Sequence, residues 1–425
     1  MRYRYSTHKD GKLVKKALVY TQSEHGINLA DVDADAIRIV ERLVAAGFET
    51  YIVGGAVRDL LLHKKPKDFD IVSAASPNQI KKIFRFVRII GHRFRLAHVV
   101  AGEKIFEVAT FRSIAGGSTG NIFGTIEEDA LRRDFTLNAL FYDPGKQLVI
   151  DYVGGMKDIR NQRIKPIISL KSIFIDDPVR IIRAVKYASA AGFRLPLFLR
   201  LKIRGQAHLL DGVSPSRRTE EILKIIRSSS AAVIVENLEN FGLYQYLQPN
   251  ASKLMGEAPA FREKYLQRLA ALNQENTQSE DKENLAALIQ DYLEMVVDWN
   301  EQDIDHYKKT FYEARQFVLP MNPPRFDLDG AVKLIYREHG VVVKRSLFAS
   351  ETGERPPKRR QEQAAQSPSN QKKTISTAKS VAPASTAQEK VPLQDGQTGG
   401  QNLKKQKRRR HKKPQHFINA SVVDL

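Results

Sequence analysis

Between Tyr51 and Val72 the chain reads YIVGGAVRDLLLHKKPKDFDIV. Asp68 and Asp70 stand two residues apart in a run whose apolar neighbours predict a strand, which puts both carboxylates on one face, about 7 Å apart along it. Two like charges so placed repel, and a divalent cation relieves them. Hard oxygen ligands in a chain without cysteine point to magnesium. The plainer alternative has one aspartate capping the turn after Pro66 and the other solvated. Gly54 and Gly55 follow a strand and open a helix, so backbone N–H groups stay free for an anion, and Arg58 adds a forked cation one turn on. An ordinary tight turn with a surface Arg58–Asp59 pair is the alternative there. Glu107, in IFEVATF, offers a third carboxylate, or faces solvent on an edge strand. In RRDFTLNAL, Asp134 and Asn138 fall at i and i+4 of a predicted helix beside Arg132 and Arg133. Those four residues could hold a ribose and a triphosphate, or form a structural ion-pair network. Neither GxxxxGK[ST] nor GxGxxG occurs. Glycine-aided phosphate binding followed by paired carboxylates is what metal-assisted phosphoryl or nucleotidyl transfer requires.

The elements that must position these groups alternate. Asp33 starts a helix through ADAIRIVERLVAAGF, with Ile37, Val40, Leu43 and Val44 at helical spacing and Gly47 as its stop. Tyr51 to Val53 predicts a buried strand, GGAVRDLLL a turn into a helix, DFDIV the next strand and KIFEVATFR another. SIAGGSTGN reads as a loop, and EEDALRRDFTLNALFYD as a helix that turns apolar. Residues 30 to about 150 thus make one α/β unit. From Asp176 to about residue 345 the pattern is almost wholly helical. Within it SPSRRTEEILKIIRS predicts a capped amphipathic helix, while Trp299 and the tyrosines read as core.

The chain has 425 residues, with 68 Lys plus Arg against 48 Asp plus Glu. The resulting pI of about 9.8 favours a polyanionic partner, nucleic acid or an anionic membrane surface. No apolar run reaches eighteen residues, and the N-terminus lacks the apolar centre of a signal peptide, which predicts a soluble, cytoplasmic protein. The absence of cysteine excludes disulfides, thiol nucleophiles and thiolate zinc sites. From Glu351 onward Gln, Ser, Pro, Ala and Lys dominate, and 16 basic residues face 6 acidic ones, which predicts a disordered basic tail.

GGAVRD, KPKDFD, EVATFR, RRDFTLNAL, DYVGGMKDI and DDPVRIIRAVKYA, in that order, resemble the class II nucleotidyltransferases, the bacterial poly(A) polymerases and CCA-adding tRNA nucleotidyltransferases. The resemblance runs from about Ala30 to Leu247. IIGHRFRLAHVV and NIFGTIEEDALRRDF, with the basic tail, lean to the poly(A) polymerase branch. It implies an α+β fold, a nucleotidyltransferase palm of small mixed sheet and helices, then an all-helical neck and body. The expected divisions are a basic arm (1–29), head or palm (30–155), neck and RNA-binding body (156–250), helical C-terminal domain (251–345) and tail (346–425).

By resemblance, Asp68, Asp70 and Glu107 would ligate two Mg2+ ions and Asp134 would support the nucleotide. Gly54, Gly55 and Arg58 would contact the triphosphate of ATP, and Arg132, Arg133 and Asn138 its sugar or phosphates. Asp177 and Arg180 would face the base edge, although an i,i+3 helix salt bridge is the plainer reading of that pair. Lys404, Lys405, Lys407, Arg408, Arg409 and Arg410 would grip RNA, or an acidic protein partner such as an RNA-decay protein. The implied function is addition of AMP to RNA 3′ ends by a monomer that needs no membrane. Rivals are a CCA-adding enzyme and a non-catalytic RNA-binding protein on the same fold. Two departures from the family stand out: Asp176 replaces the usual Glu, and the loop from Ser113 to Gly120 is short.

Overall fold

The computed structural model describes residues 2–7, 13–91, 95–116, 122–272, 280–299, 304–343 and 422–423. Strands β1 (Arg2–Thr7), β2 (Leu13–Tyr20), β3 (Thr50–Val53), β4 (Asp70–Ser73), β5 (Val87–Ile90), β6 (Leu96–Ala101), β7 (Lys104–Thr110), β8 (Leu140–Asp143), β9 (Leu148–Asp151) and β10 (Val422–Val423) form one sheet. Their order is β10-β1-β2-β9-β8-β3-β4-β7-β6-β5. Only β4 and β7 run parallel, because the β5–β6 hairpin and the helix Pro77–Ile83 lie between them in sequence. Segment 1–29, expected as a basic arm, instead supplies β1 and β2: Ala17, Val19 and Tyr20 are buried, and β2 pairs with β9.

The two sheet faces differ. Ile52, Ile71, Val99, Phe106 and Val108 belong to a large core that continues through the helices to Tyr336. Tyr51, Val53, Val72, Phe141 and Ile150 on the opposite face meet Ile126 and Ala130 of the helix Ile126–Leu131, and Phe111. The strand alternation thus feeds two cores.

The helix Ala34–Ala45 starts where Asp33 accepts from the amides of Asp35 and Ala36. It buries Ala36, Ile39, Val40 and Leu43, while Val44, counted in the expected stripe, is exposed. The EEDALRRDFTLNALFYD segment departs from a single helix: it stops at Leu131, makes a 3₁₀ turn at Thr136–Asn138 and becomes β8. Packing explains the break, since Phe135 and Leu137 are fully buried and a side chain at Gly155 would run into the Thr136 carbonyl.

From Asp176 to Glu338 the described chain is helical, through Val179–Ala191, Leu197–Gln206, Pro215–Ile226, Ala231–Asn240 and five further helices. Pro215 opens the third of these helices, and Ser214 makes no side-chain cap. Trp299 stacks on His339 at 3.9 Å between ring centroids, which fits a packing role. No described helix is long and apolar enough to cross a membrane. The tail, including residues 404–410, lies outside the described residues, as do 92–94 and 117–120 of the two segments singled out above.

Candidate active site

The floor of the site is set by strand register. Ile71 pairs with Val108, so Asp70, the first residue of β4, lies level with Glu107 of β7. Asp68 precedes the strand instead of lying on it, so strand alternation does not fix its direction. Its loop is tied to helix C-termini: Lys64 Nζ donates to the Ala190 carbonyl at 2.7 Å, and Lys67 Nζ to that of Arg227. Cations suit the negative ends of helix dipoles.

Asp70 is exposed at the start of β4, although protein crowds around its carboxyl. Burial, then the Glu107 charge and, more weakly, Asp68 push its carboxyl up to about 6, against an opposing pull from Arg133. Glu107 faces solvent with 52% of its side chain exposed and lies 3.5 Å from His98 Nε2. It is on an inner strand, so the expected edge-strand alternative is half right: the face is open and the strand is not an edge. Among the described residues no three His, Asp or Glu side chains converge as a ready-made metal cage. The donor chemistry still fits magnesium, which keeps several waters and takes one or two carboxylates plus substrate phosphates. The raised Asp70 carboxyl marks the uncompensated negative charge such an ion would meet.

Gly54 closes β3 and opens the helix Gly55–Leu61 with φ 70° and ψ −131°, a backbone only glycine adopts without strain. A Cβ there would sit 3.6 Å from Asp70 Oδ2 and 3.7 Å from Arg133 Nη1. The start of this helix therefore adjoins both an acid of the floor and a cation of the wall.

Asn138 organises the wall. Its side-chain oxygen accepts from Arg58 Nη1 at 3.0 Å, its carbonyl accepts from Arg133 Nη1 at 3.0 Å, and its Nδ2 donates to Asp134 Oδ1 at 3.3 Å. The Asp134–Asn138 contact predicted for a helix face thus forms across a 3₁₀ turn. Arg58 also bonds Asp59 and lies over the Tyr187 ring, while Arg133 forks onto Asp129 at 2.9 and 3.1 Å. Asp134 accepts from the Phe135 amide at 2.8 Å and lies 3.8 Å from Arg183.

Arg132 turns elsewhere, with Nη1 toward the Ser113 carbonyl. Burial, then Arg112 and more distantly Arg180 and Arg133, push its guanidinium down to about 10 against the pull of Asp129. Burial and Arg133 likewise lower Arg112. Crowded, mutually repelling arginines of this kind invite a polyanion. Sequence reasoning missed Arg112, although it ends the EVATFR motif.

Asp177 and Arg180 do not make the i,i+3 salt bridge. Asp177 caps Val179 and pairs with Arg217 at 2.9 Å, while the buried Arg180 donates from Nη1 to the Ile173 carbonyl at 3.3 Å. Also missed was the buried triad behind Asp134, in which Glu221 accepts from Arg183 Nε at 2.8 Å and from Lys186. It joins residues 35 to 38 positions apart, and no local spacing announces it.

Asp70 at the start of β4, level with Glu107 in the middle of the parallel strand β7, beside a glycine-opened helix and an arginine wall, is an arrangement similar to a nucleotidyltransferase head. Residues 50–165 match the family described as "Poly A polymerase head domain". Residues 192–255 match "Probable RNA and SrmB- binding site of polymerase A". The chain is 40% identical to poly(A) polymerase I of Salmonella typhi over 255 residues, 56% of this chain and 55% of that one. It is 33% identical to the CCA-adding enzyme of Listeria innocua serovar 6a over 223 residues, 51% of this chain and 56% of that one. The Thermotoga maritima CCA-adding enzyme complexed with tRNA shares the fold, with a TM-score of 0.50 and 22% identity over 76% of this chain and 74% of that one. The chain spans about half the length of the curated relatives it matches.

Proposed function

We propose that the protein is a template-independent poly(A) polymerase that transfers AMP from ATP to RNA 3′ ends. The observation that carries this reading is the placement of Asp70 level with Glu107 and against Gly54, with Arg58 and Arg133 both held on Asn138. Asp70 and Glu107, with Asp68 from its loop, would hold Mg2+. Bound there, the ions would supply charge neutralisation at the triphosphate and acidify the RNA 3′-hydroxyl. Arg58, Arg133 and the Gly54–Gly55 backbone bind and orient the triphosphate, with Arg112 and Arg132 adding positive potential from behind. Asp134 and Asn138 keep the two binding arginines in place. The 3′ oxygen bonds to the α-phosphorus as the bond to pyrophosphate breaks in line. Asp177 and Arg180, at the start of the helix Val179–Ala191, are assigned to the base edge, Asp177 releasing Arg217 to do so. The basic tail adds sequence-independent grip on RNA.

The identity to poly(A) polymerase I, above that to a CCA-adding enzyme, supports AMP over CCA addition. The test gives the purified protein Mg2+ and either an unstructured RNA or a tRNA lacking CCA, with ATP, CTP or both. Long ladders from ATP on the unstructured RNA are expected. Three additions confined to the tRNA would make it a CCA-adding enzyme, and no addition to either RNA would leave a binding protein.

A further inference from the structure

The face of the sheet that carries Asp70 is covered from β9 to β4 by Ile126, Ala130 and Phe111, and this second core reaches β7 only at Ala109, near the end of that strand, and includes no residue of β5 or β6. On β5, β6 and the part of β7 before Ala109 the face is open, and its side chains fall in rows set by register. One row is Arg88, His98 and Glu107, paired in turn across β5, β6 and β7. The next, one pleat away, is Phe86, Val100 and Ile105: Val100 pairs with Ile105, and its amide bonds the Phe86 carbonyl at 3.0 Å. These three are 62%, 42% and 61% exposed, although they sit between strands whose other faces are buried through Val99 and Phe106. The Arg85 guanidinium lies 5.3 Å over the Phe86 ring. Three apolar side chains in one exposed row, flanked by two arginines, are costly to leave in water and ask for a partner.

We propose that this open face is the platform on which the terminal nucleotides of a single-stranded acceptor RNA lie, with bases against Phe86, Val100 and Ile105 and phosphates toward Arg85 and Arg88. The inference rests on the polymerase reading and assigns a place to its second substrate. Continuity selects RNA: the neighbouring Arg88–His98–Glu107 row ends on Glu107, so an occupant of the platform abuts the carboxylate floor. A folded protein docked there would obstruct that floor, whereas a strand laid across it delivers its 3′ end there. The width, two strand spacings or about 10 Å, suits a strand end more than a duplex. An aromatic ring with aliphatic neighbours accepts any base by stacking, and the arginines add sequence-blind attraction to phosphate. None of these five residues belongs to the nucleotide wall described above.

The experiment uses the full chain carrying Phe86→Ala with Ile105→Ser, and separately Phe86→Trp. Both positions are exposed, so the variants should melt within a degree or two of the parent. The double variant should raise the KM for an oligoadenylate primer about tenfold and leave the KM for ATP unchanged, and Phe86→Trp should keep the parent's primer KM. Without ATP or metal, the same oligoadenylate should quench the new tryptophan in Phe86→Trp, and an oligonucleotide whose last two sugars lack bases should bind without that quenching. An unchanged primer KM in the double variant overturns the platform, as does equal quenching by the abasic oligonucleotide; a surface reserved for a protein would give both. If the parent adds nucleotides to no RNA, the polymerase reading fails. The quenching titration needs no turnover and still decides the platform.

Discussion

Replacing Glu221 with Gln tests how the helical region holds the nucleotide wall. The Glu221 side chain is only 2% exposed and lies between Arg183 and Lys186. Burial pushes its carboxyl up, but Lys186 and Arg183 together overcome this and hold it at about 2, against 4.5 for an ordinary glutamate. At about 1.4 kcal/mol per pKa unit, that depression is worth roughly 3 kcal/mol. Lys186 shifts the other way from what a pair alone would give, because its burial outweighs its share of one carboxylate. The burial cost of Lys186 offsets part of the gain, so Glu221→Gln should lose about 2 to 3 kcal/mol at pH 7, close to the usual cost of breaking a buried pair. The sign follows from a depressed folded pKa. The contribution is complete above the unfolded value near 4.5, disappears as pH falls toward 2, and at pH 3 has dropped to less than half. Equilibrium urea unfolding of both proteins at pH 7, 5 and 3, followed by circular dichroism, reads the difference directly. A loss below about 1 kcal/mol at pH 7, or one equal at pH 7 and pH 3, would refute the reasoning. Since Arg183 also faces Asp134 at 3.8 Å, the variant should bind ATP more weakly at 25 °C even while folded.

Asp70→Asn should abolish nucleotide addition while RNA affinity changes less than twofold, and filter binding beside a primer-extension gel checks both. Protons and cations compete for the ionised Asp70, whose carboxyl is raised to about 6, so Mn2+ affinity measured by electron paramagnetic resonance should weaken up to about tenfold per pH unit below that value. The metal-free protein gains stability from Asp70 in the same direction, as protonation relieves its charge. Gly54→Ala should cost about 1 to 3 kcal/mol, because φ 70° with ψ −131° strains any residue with a Cβ, and thermal melts will show it. Removing residues 351–425 should flatten the salt dependence of RNA binding far more than it slows turnover on saturating primer; an identical slope would count against the tail as an RNA arm.

The sequence alone determined the local pieces: β3, the glycine-opened helix, β4 and β7 follow from short apolar runs and from glycines where the backbone must turn. Asp70, Gly54, Arg58 and Glu107 were legible because each breaks an apolar frame at a point where burial would otherwise be expected. The first strands were not legible, since the alternation of β2 is short and lies in a basic stretch that joins the rest of the sheet only through β9, far along the chain, with β1 on its other side. Nor was the course of residues 132–139, where helical period yields to burial of Phe135 and Leu137 beneath Gly155. Only the tertiary structure decided that Asp177 is engaged by Arg217, that Arg112 joins the cationic wall, and that Glu221 braces Arg183 from another helix. These are charge contacts between segments far apart in the chain, set by which helix packs on which. Spacing within one segment carries periodicity and capping, and says nothing of the neighbour that will compensate a buried charge.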